Sequence, residues 1–241
     1  MKKKVSCIIC AYNEKSRISK VLKVAVNHPW IDEIIVVDDG SIDKTGKEAS
    51  KFKKIKLIRN KKNFGKSKSM YLGCQKAKNE FVLFLDADLI GLKKKDITSL
   101  LEPIIDGDVD MTISMRKNNF LLFKILGHEF ISGERALRKD ISKKVLKNSN
   151  GYAAEVKINE YILRNRLKFR IINWPNVKAI KKIEKKEIKK AIEKEINMIK
   201  EITKSAPASE IIKQMVMFGF LSYKDKKDEK EVFKKIKNIF N

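Results

Sequence analysis

The sequence predicts an α/β fold: a mostly parallel sheet with helices on both faces, followed by a helical C-terminal extension. Three observations carry this. Short apolar runs alternate with helical patterns through the first hundred residues. One run, Phe81 to Leu85, is apolar at five successive positions, as expected of a strand covered on both faces. Polar clusters follow each of the first four runs, where open α/β sheets hold their ligands.

Val5 to Cys10 is the first predicted strand. Ile18, Val21, Leu22 and Ala25 then recur on one face of a helix, which Pro29 ends. Glu33 to Val37 is the second strand, followed by a polar turn at Asp38 to Asp43 and a helix to about Phe52. Ile55 to Ile58 is the third, and a helix from Lys66 places Met70, Gly73, Cys74 and Ala77 on one face. Phe81 to Leu85 is the fourth. From Leu92 to Asn150 the pattern is less regular: a helix over Asp96 to Ile105, a strand over Met111 to Met115, and an apolar Phe120 to Leu126 that fits a helix or a lid. A helix over Tyr152 to Arg164 and a strand over Phe169 to Trp174 follow.

Beyond about Lys178 the composition shifts. Residues 1–178 are read as one α/β domain and residues 179–241 as a basic helical extension. Lys181 to Lys204 is dense in Lys and Glu, with Ile188, Ile192, Ile196 and Ile199 as a narrow apolar stripe. It suits packing on the domain or a second copy, or contact with an anionic membrane. Met215 to Leu221 is an apolar patch expected to bury against something.

The 241 residues are 43% hydrophobic, ample for a core despite 35% charged side chains. The net charge of +25 suggests an anionic partner. The lysines are scattered, however, and no helix-turn-helix, zinc-knuckle or RNA-binding aromatic motif is present. Nucleic acid is therefore disfavoured, and an anionic small substrate or membrane surface is preferred. Cys7, Cys10 and Cys74 are an odd set, and Cys7-Ile-Ile-Cys10 lies inside an apolar strand, so all three read as buried thiols. No signal peptide and no run of about 20 apolar residues is seen. The expected location is cytoplasmic, with peripheral membrane contact as an option.

The four strand ends carry Ala11-Tyr12-Asn13-Glu14, Asp38-Asp39-Gly40-Ser41, Asn63-Phe64-Gly65-Lys66 and Asp86-Ala87-Asp88. One acidic turn is explained by helix capping; polar clusters at all four ends describe a composite site. In an extended segment Asp86 and Asp88 point the same way and can face one hard divalent cation, Mg²⁺ or Mn²⁺. No Gly-x-Gly-x-x-Gly follows the first strand, and Gly65-Lys66-Ser67 fails as a P-loop because Asn60 stands where a Gly is required. Lys66 beside a Gly at a helix start still suits a phosphate.

In order and spacing these motifs resemble the family 2 glycosyltransferases of the GT-A fold, with some likeness to glucosyl-3-phosphoglycerate synthases and dolichol-phosphate-mannose synthase-like enzymes. The resemblance is close over about residues 4 to 90, patchier to about 178 and weak beyond. It implies transfer of a hexose from a nucleotide-sugar, commonly UDP-linked, with a divalent metal. Ala11, Tyr12, Asn13 and Glu14 would hold base and ribose, and Asp39 the base. Gly65 and Ala87 would belong to the donor site, Lys66 would approach the diphosphate or base side, Asp86 would lie near the ribose and metal, and Asp88 would bind the metal directly. Ser132-Gly133-Glu134-Arg135-Ala136-Leu137 resembles an acceptor-side loop, with Gly133 and Arg135 admitting a phosphate or carboxylate. Gly151-Tyr152-Ala153-Ala154-Glu155 resembles the family's Gly-aromatic-x-x-Glu. Glu155 or Glu134 would orient sugar or acceptor, or act as base.

One departure stands out. A His expected shortly after the last strand is missing from Asn176 to Lys181; the only others are His28, at a helix end, and His128. Either His128, just ahead of the Ser132 loop, is recruited, or water fills the metal shell, or Lys178 or Lys181 supplies positive charge to the diphosphate. The acceptor is left open among small anionic, lipid-linked and glycan molecules. Two rival readings are a glycosyltransferase-like binding protein without turnover and a sugar-1-phosphate nucleotidyltransferase. The second lacks its Gly-rich first turn here.

Overall fold

The computed structural model describes residues 4–116, 132–147, 149, 153–179, 209 and 214. The predicted helix or lid at Phe120 to Leu126, His128, Gly151, Tyr152, and the stretches Lys181 to Lys204 and Met215 to Leu221 lie outside the described residues.

The first half follows the predicted alternation. Strands β1 (Val5–Ala11), β2 (Ile31–Asp38), β3 (Ile55–Arg59) and β4 (Phe81–Asp86) are separated by helices α1 (Ile18–Val26), α2 (Thr45–Ala49) and α3 (Lys66–Lys76). Helix α2 is shorter than expected: Phe52 lies beyond it and packs against the core instead. Strand β5 (Leu89–Ile90), helix α4 (Lys94–Ile105) and strand β6 (Met111–Arg116) follow. Strand β7 (Arg135–Arg138), helices α5 (Lys139–Leu146) and α6 (Ala153–Arg164), and strands β8 (Phe169–Trp174) and β9 (Lys178–Ala179) complete the order.

Seven strands form one sheet in the order β3-β2-β1-β4-β7-β6-β8. The pairs among β1 to β4 are parallel, as is β6 with β8. Strand β7 runs antiparallel between β4 and β6. The sequence resemblance makes Ser132 to Leu137 a loop, but Arg135 to Arg138 form a strand. A strand of four residues with an Arg at each end has no alternation to announce it.

Alternating side chains serve two cores. Val5, Cys7 and Ile9 of β1 face one with α1 and α4; Ile8 faces the other with α3, α5 and α6. Helix α1 buries Ile18, Val21, Leu22 and Ala25, the stripe read from sequence. Cys7 and Cys74 are buried free thiols. Burial pushes the Cys7 thiol up, and Cys74 up to about 12. Both layers place the ends of β1, β2 and β4 side by side, because a parallel sheet brings every strand's carboxyl end to one edge.

Candidate active site

The loops after β1 and β2 are laced together. Asn13, with φ of 57°, donates from its backbone N to Ser41 Oγ (3.0 Å) and accepts from Ile42 N at Oδ1 (3.0 Å). Glu14 N donates to Thr45 Oγ1 at 2.8 Å, and the Glu14 carboxylate pairs with Arg17. Asp39 fastens the next loop: Oδ1 accepts from Asn60 Nδ2 (2.7 Å) and Phe64 N (3.0 Å), and Oδ2 from Gly65 N (2.8 Å). Gly40, at φ of +75°, passes so close that a Cβ would lie 2.5 Å from the Lys62 carbonyl carbon. Charged, hydrogen-bonded acceptors of this kind hold a loop without regular structure.

These loops border an open cleft of about 500 Å³. Every predicted donor-side position except Asn13 lines it: Ala11, Tyr12, Glu14, Asp39, Gly65, Lys66, Asp86, Ala87 and Asp88. Asn13 instead braces the rim through Ser41 and Ile42. The Asp86 and Asp88 geometry differs from expectation. Asp86 is the last residue of β4, but Ala87 and Asp88 form a turn, so strand alternation does not align the two acids. They share the cleft because the chain reverses into β5. Strand β5 pairs with β9, Ile90 opposite Lys178 and Leu89 opposite Ala179. The segment that lacks the expected His therefore runs beside this turn.

An ionic network lies behind the cleft. Lys66 Nζ sits 2.8 Å from Asp86 Oδ1 and 2.9 Å from Glu155 Oε1. Arg116 Nη1 is 3.7 Å from Asp86 Oδ2 and 3.4 Å from Glu134 Oε1. Glu134 Oε2 accepts from Ser114 Oγ (2.8 Å) and Ser132 Oγ (2.7 Å). Continuing the β4–β7 register past Phe84 and Arg135 sets Gly133 across from Asp86. A Cβ on Gly133 would lie 2.4 Å from Asp86 Oδ1 and 2.5 Å from Lys66 Nζ. Only a residue without a side chain leaves the ion pair that space.

The network sets the charges. Burial works against an ionised Asp86, but Lys66 and Arg116 hold its carboxyl down at about 2. Burial works against the Lys66 ammonium too, and the Asp86 and Glu155 carboxylates hold it well above the ordinary lysine range. Asp88 goes the other way: burial, then the Asp86 and Glu14 carboxylates, push it up to about 6.

Glu134 and Arg135 are fully buried, and Glu155 almost so. The Arg135 guanidinium donates to Ser132 O, Glu155 O and Asn159 Oδ1 rather than facing solvent. Arg116 escaped the sequence reading. Its signal was its place at the end of β6, equivalent to that of Asp86 at the end of β4.

No trio of His, Cys, Asp or Glu among the described residues is set to hold a metal ion. The donor set still fits one. Asp88 is a cleft carboxylate crowded by Asp86 and Glu14, and an added cation relieves that repulsion. A small hard cation needs only one or two protein carboxylates when substrate phosphates supply further oxygens.

Residues 6–154 match the sequence model of "Glycosyl transferase family 2", which is more than half of the chain. The chain belongs to glycosyl transferase family 2. Among curated relatives, a dolichyl-phosphate beta-glucosyltransferase of Trichomonas vaginalis is 32% identical over 154 residues, covering 58% of this chain and 42% of that protein. A dodecaprenyl-phosphate galacturonate synthase of Rhizobium johnstonii is 26% identical over 168 residues, covering 58% and 49%. The alignments thus span about half or less of these relatives' own lengths. Glucosyl-3-phosphoglycerate synthase of Mycobacterium tuberculosis, solved with Mn²⁺, UDP and glucosyl-3-phosphoglycerate, superposes with a TM-score of 0.69 at 17% identity, covering 88% of this chain and 80% of that one. That likeness is one of fold, and the family 2 chain described here has the GT-A fold expected from its motifs. Among the described residues no helix is long and apolar enough to cross a membrane.

Proposed function

We propose that the chain transfers a hexose from a UDP-sugar to a phosphate-bearing acceptor. The observation that carries this reading is the cleft, where the ends of β1, β2 and β4 and the start of α3 converge around Asp88 and the Lys66–Asp86 pair. Its volume falls in the range of small-ligand sites. Family membership supports transfer chemistry, and a structural neighbour bound to UDP supports the nucleotide. Two relatives named for polyprenyl phosphates, and a neighbour bound to a phosphoglycerate glycoside, support an acceptor with a phosphate.

Tyr12 gives an exposed aromatic face at the cleft for the base, and Asp39 a carboxylate for its N–H. Asp88, with Asp86 behind it, would hold the divalent cation. Bound there, the ion neutralises charge on the departing diphosphate. Lys66 supplies a fixed cation on the same side. Glu155 Oε1 is engaged by Lys66, and Oε2 is buried with no hydrogen-bond partner among the described residues. We assign that oxygen to a hydroxyl of the transferred sugar. An acceptor phosphate is already ionised and needs no strong base. Glu134, closed off by two serines and Arg116, serves as a structural partner of that network rather than a base.

A thermal-shift screen of UDP-, GDP-, ADP- and TDP-sugars with Mn²⁺ tests the donor, since a ligand that binds only the folded state raises its stability. UDP-sugars should give the largest shift, and Asp88→Ala should remove its Mn²⁺-dependent part. UDP release is then assayed with phosphorylated acceptors. No nucleotide shift at all overturns the reading. Donor binding without UDP release across acceptors favours the non-catalytic binding protein.

A further inference from the structure

Helix α6 carries Glu155 in its first turn, and two side chains from different elements hold that turn. Ser67 Oγ of α3 accepts from Ala154 N at 3.1 Å. From β7, Arg135 Nη1 donates to Glu155 O at 3.4 Å and to Asn159 Oδ1 at 3.1 Å, one helical turn further on. The same guanidinium donates from Nε to Ser132 O at 3.2 Å, and from Nη2 to that same oxygen. Ser132 precedes Gly133, whose bare Cα faces the Lys66–Asp86 pair. One planar fork therefore joins the segment against Asp86 to the turn that bears Glu155. Lys66 Nζ lies between those two carboxylates.

We propose that Arg135 is a positioning residue that sets the Glu155 carboxylate against Lys66. The proposal rests on the glycosyltransfer reading only for its kinetic readout. Arg135 is fully buried, and a buried cation is expensive. Removing the guanidinium takes buried donors away from the Ser132 and Glu155 carbonyls. A guanidinium is required where donors must leave one plane at fixed angles toward two separate backbone segments. Lysine has a single nitrogen and cannot reach Ser132 O and Glu155 O with that geometry. The acceptor-binding role that the sequence suggested for Arg135 is thereby replaced: its donors are already directed at Ser132, Glu155 and Asn159.

The test uses the full chain with Arg135→Met, Arg135→Lys and Asn159→Ala. Lysine acylation by acetic anhydride, followed residue by residue by mass spectrometry, reads whether Lys66 is still clasped by its carboxylates. Lys139, bonded to Ala77 O and Lys78 O just after β7, is the internal control. Lys66 labelling should rise by about threefold or more in Arg135→Met and Arg135→Lys while Lys139 stays unchanged, as expected of local rather than global opening. Unchanged Lys66 labelling in a folded variant overturns the proposal. So does a parallel rise at Lys139, which reports general loosening. If both Arg135 variants fail to fold, Asn159→Ala, which removes one acceptor, must show a smaller rise confined to Lys66. In UDP-sugar turnover, Arg135→Met should lower kcat by about tenfold and leave KM within about twofold. Adding it to Glu155→Gln should cause little further loss. Additive losses overturn the proposal. If the wild-type chain releases no UDP from any donor, the glycosyltransfer reading falls, while the labelling still decides the role of Arg135.

Discussion

In the half of the sheet from β1 to β4, Glu14, Asp86 and Asp88 keep part of their surface in an open cleft. In the half from β6 to β8, Glu134 and Arg135 have none and Glu155 almost none. The first group sits on loops and strand ends that a parallel sheet gathers along one edge. The second sits against an inserted antiparallel strand, where charges are covered on both sides. The contrast separates two jobs. Part-exposed charges at strand ends are open to a ligand, and the fully buried Glu134 and Arg135 hold the framework that spaces them.

The sharpest way to break this contrast is Glu134→Ala. It leaves Arg116 without one carboxylate and takes a shared acceptor from the Ser114 and Ser132 hydroxyls, which keep only their bond to each other, so urea unfolding should show a loss of about 3–5 kcal/mol. A loss under about 1 kcal/mol would place Glu134 with the surface charges. Gly133→Ala tests the seam between the halves. Its methyl would press on Asp86 and Lys66, and the expected cost is about 1–3 kcal/mol with a larger proportional loss of UDP-sugar turnover. On the cleft side, Asp39→Asn should cost about 1–3 kcal/mol of stability, since the buried carboxylate accepts three hydrogen bonds, and also weaken UDP binding by about tenfold, measured by calorimetry. Unchanged UDP binding by the folded variant would remove Asp39 from the nucleotide site.

The smallest effect lies far from the cleft. His28 accepts from Trp30 N at Nδ1 (3.3 Å), so Nε2 carries the proton toward Thr98 Oγ1 (3.0 Å). Burial, then Lys94, lowers its pKa below 6.5. The unfolded chain therefore takes up a proton first. Stability is full above pH 6.5 and falls as pH drops from there toward the folded value, by at most about 1.4 kcal/mol per pH unit. His28→Gln should flatten that slope in pH-dependent thermal melts. An unchanged slope would assign it to other groups.

The parallel half is largely legible in the sequence. Its strands are continuous apolar runs, and its ligand edge is announced by the polar residues that interrupt them. The far half is not. Strand β7 is short and charged, and its neighbours Arg116 and Ser114 lie about twenty residues earlier in the chain. Nothing local to Glu134 or Arg135 says whether they face solvent or a core.

From the sequence alone come the alternation of strands and helices, the four polar strand ends, the resemblance to family 2 glycosyltransferases, and Gly133 and Glu155 as positions of interest. Apolar periodicity and strand-end polarity are local properties, written within a few residues of each other. Only the tertiary structure decided that Asp88 lies in a turn, that Arg116 stands beside Asp86, and that Arg135 points into the protein toward the helix of Glu155. Those facts depend on how strands distant in the chain pair, and on the high cost of burying a charge unless its partners are already in place.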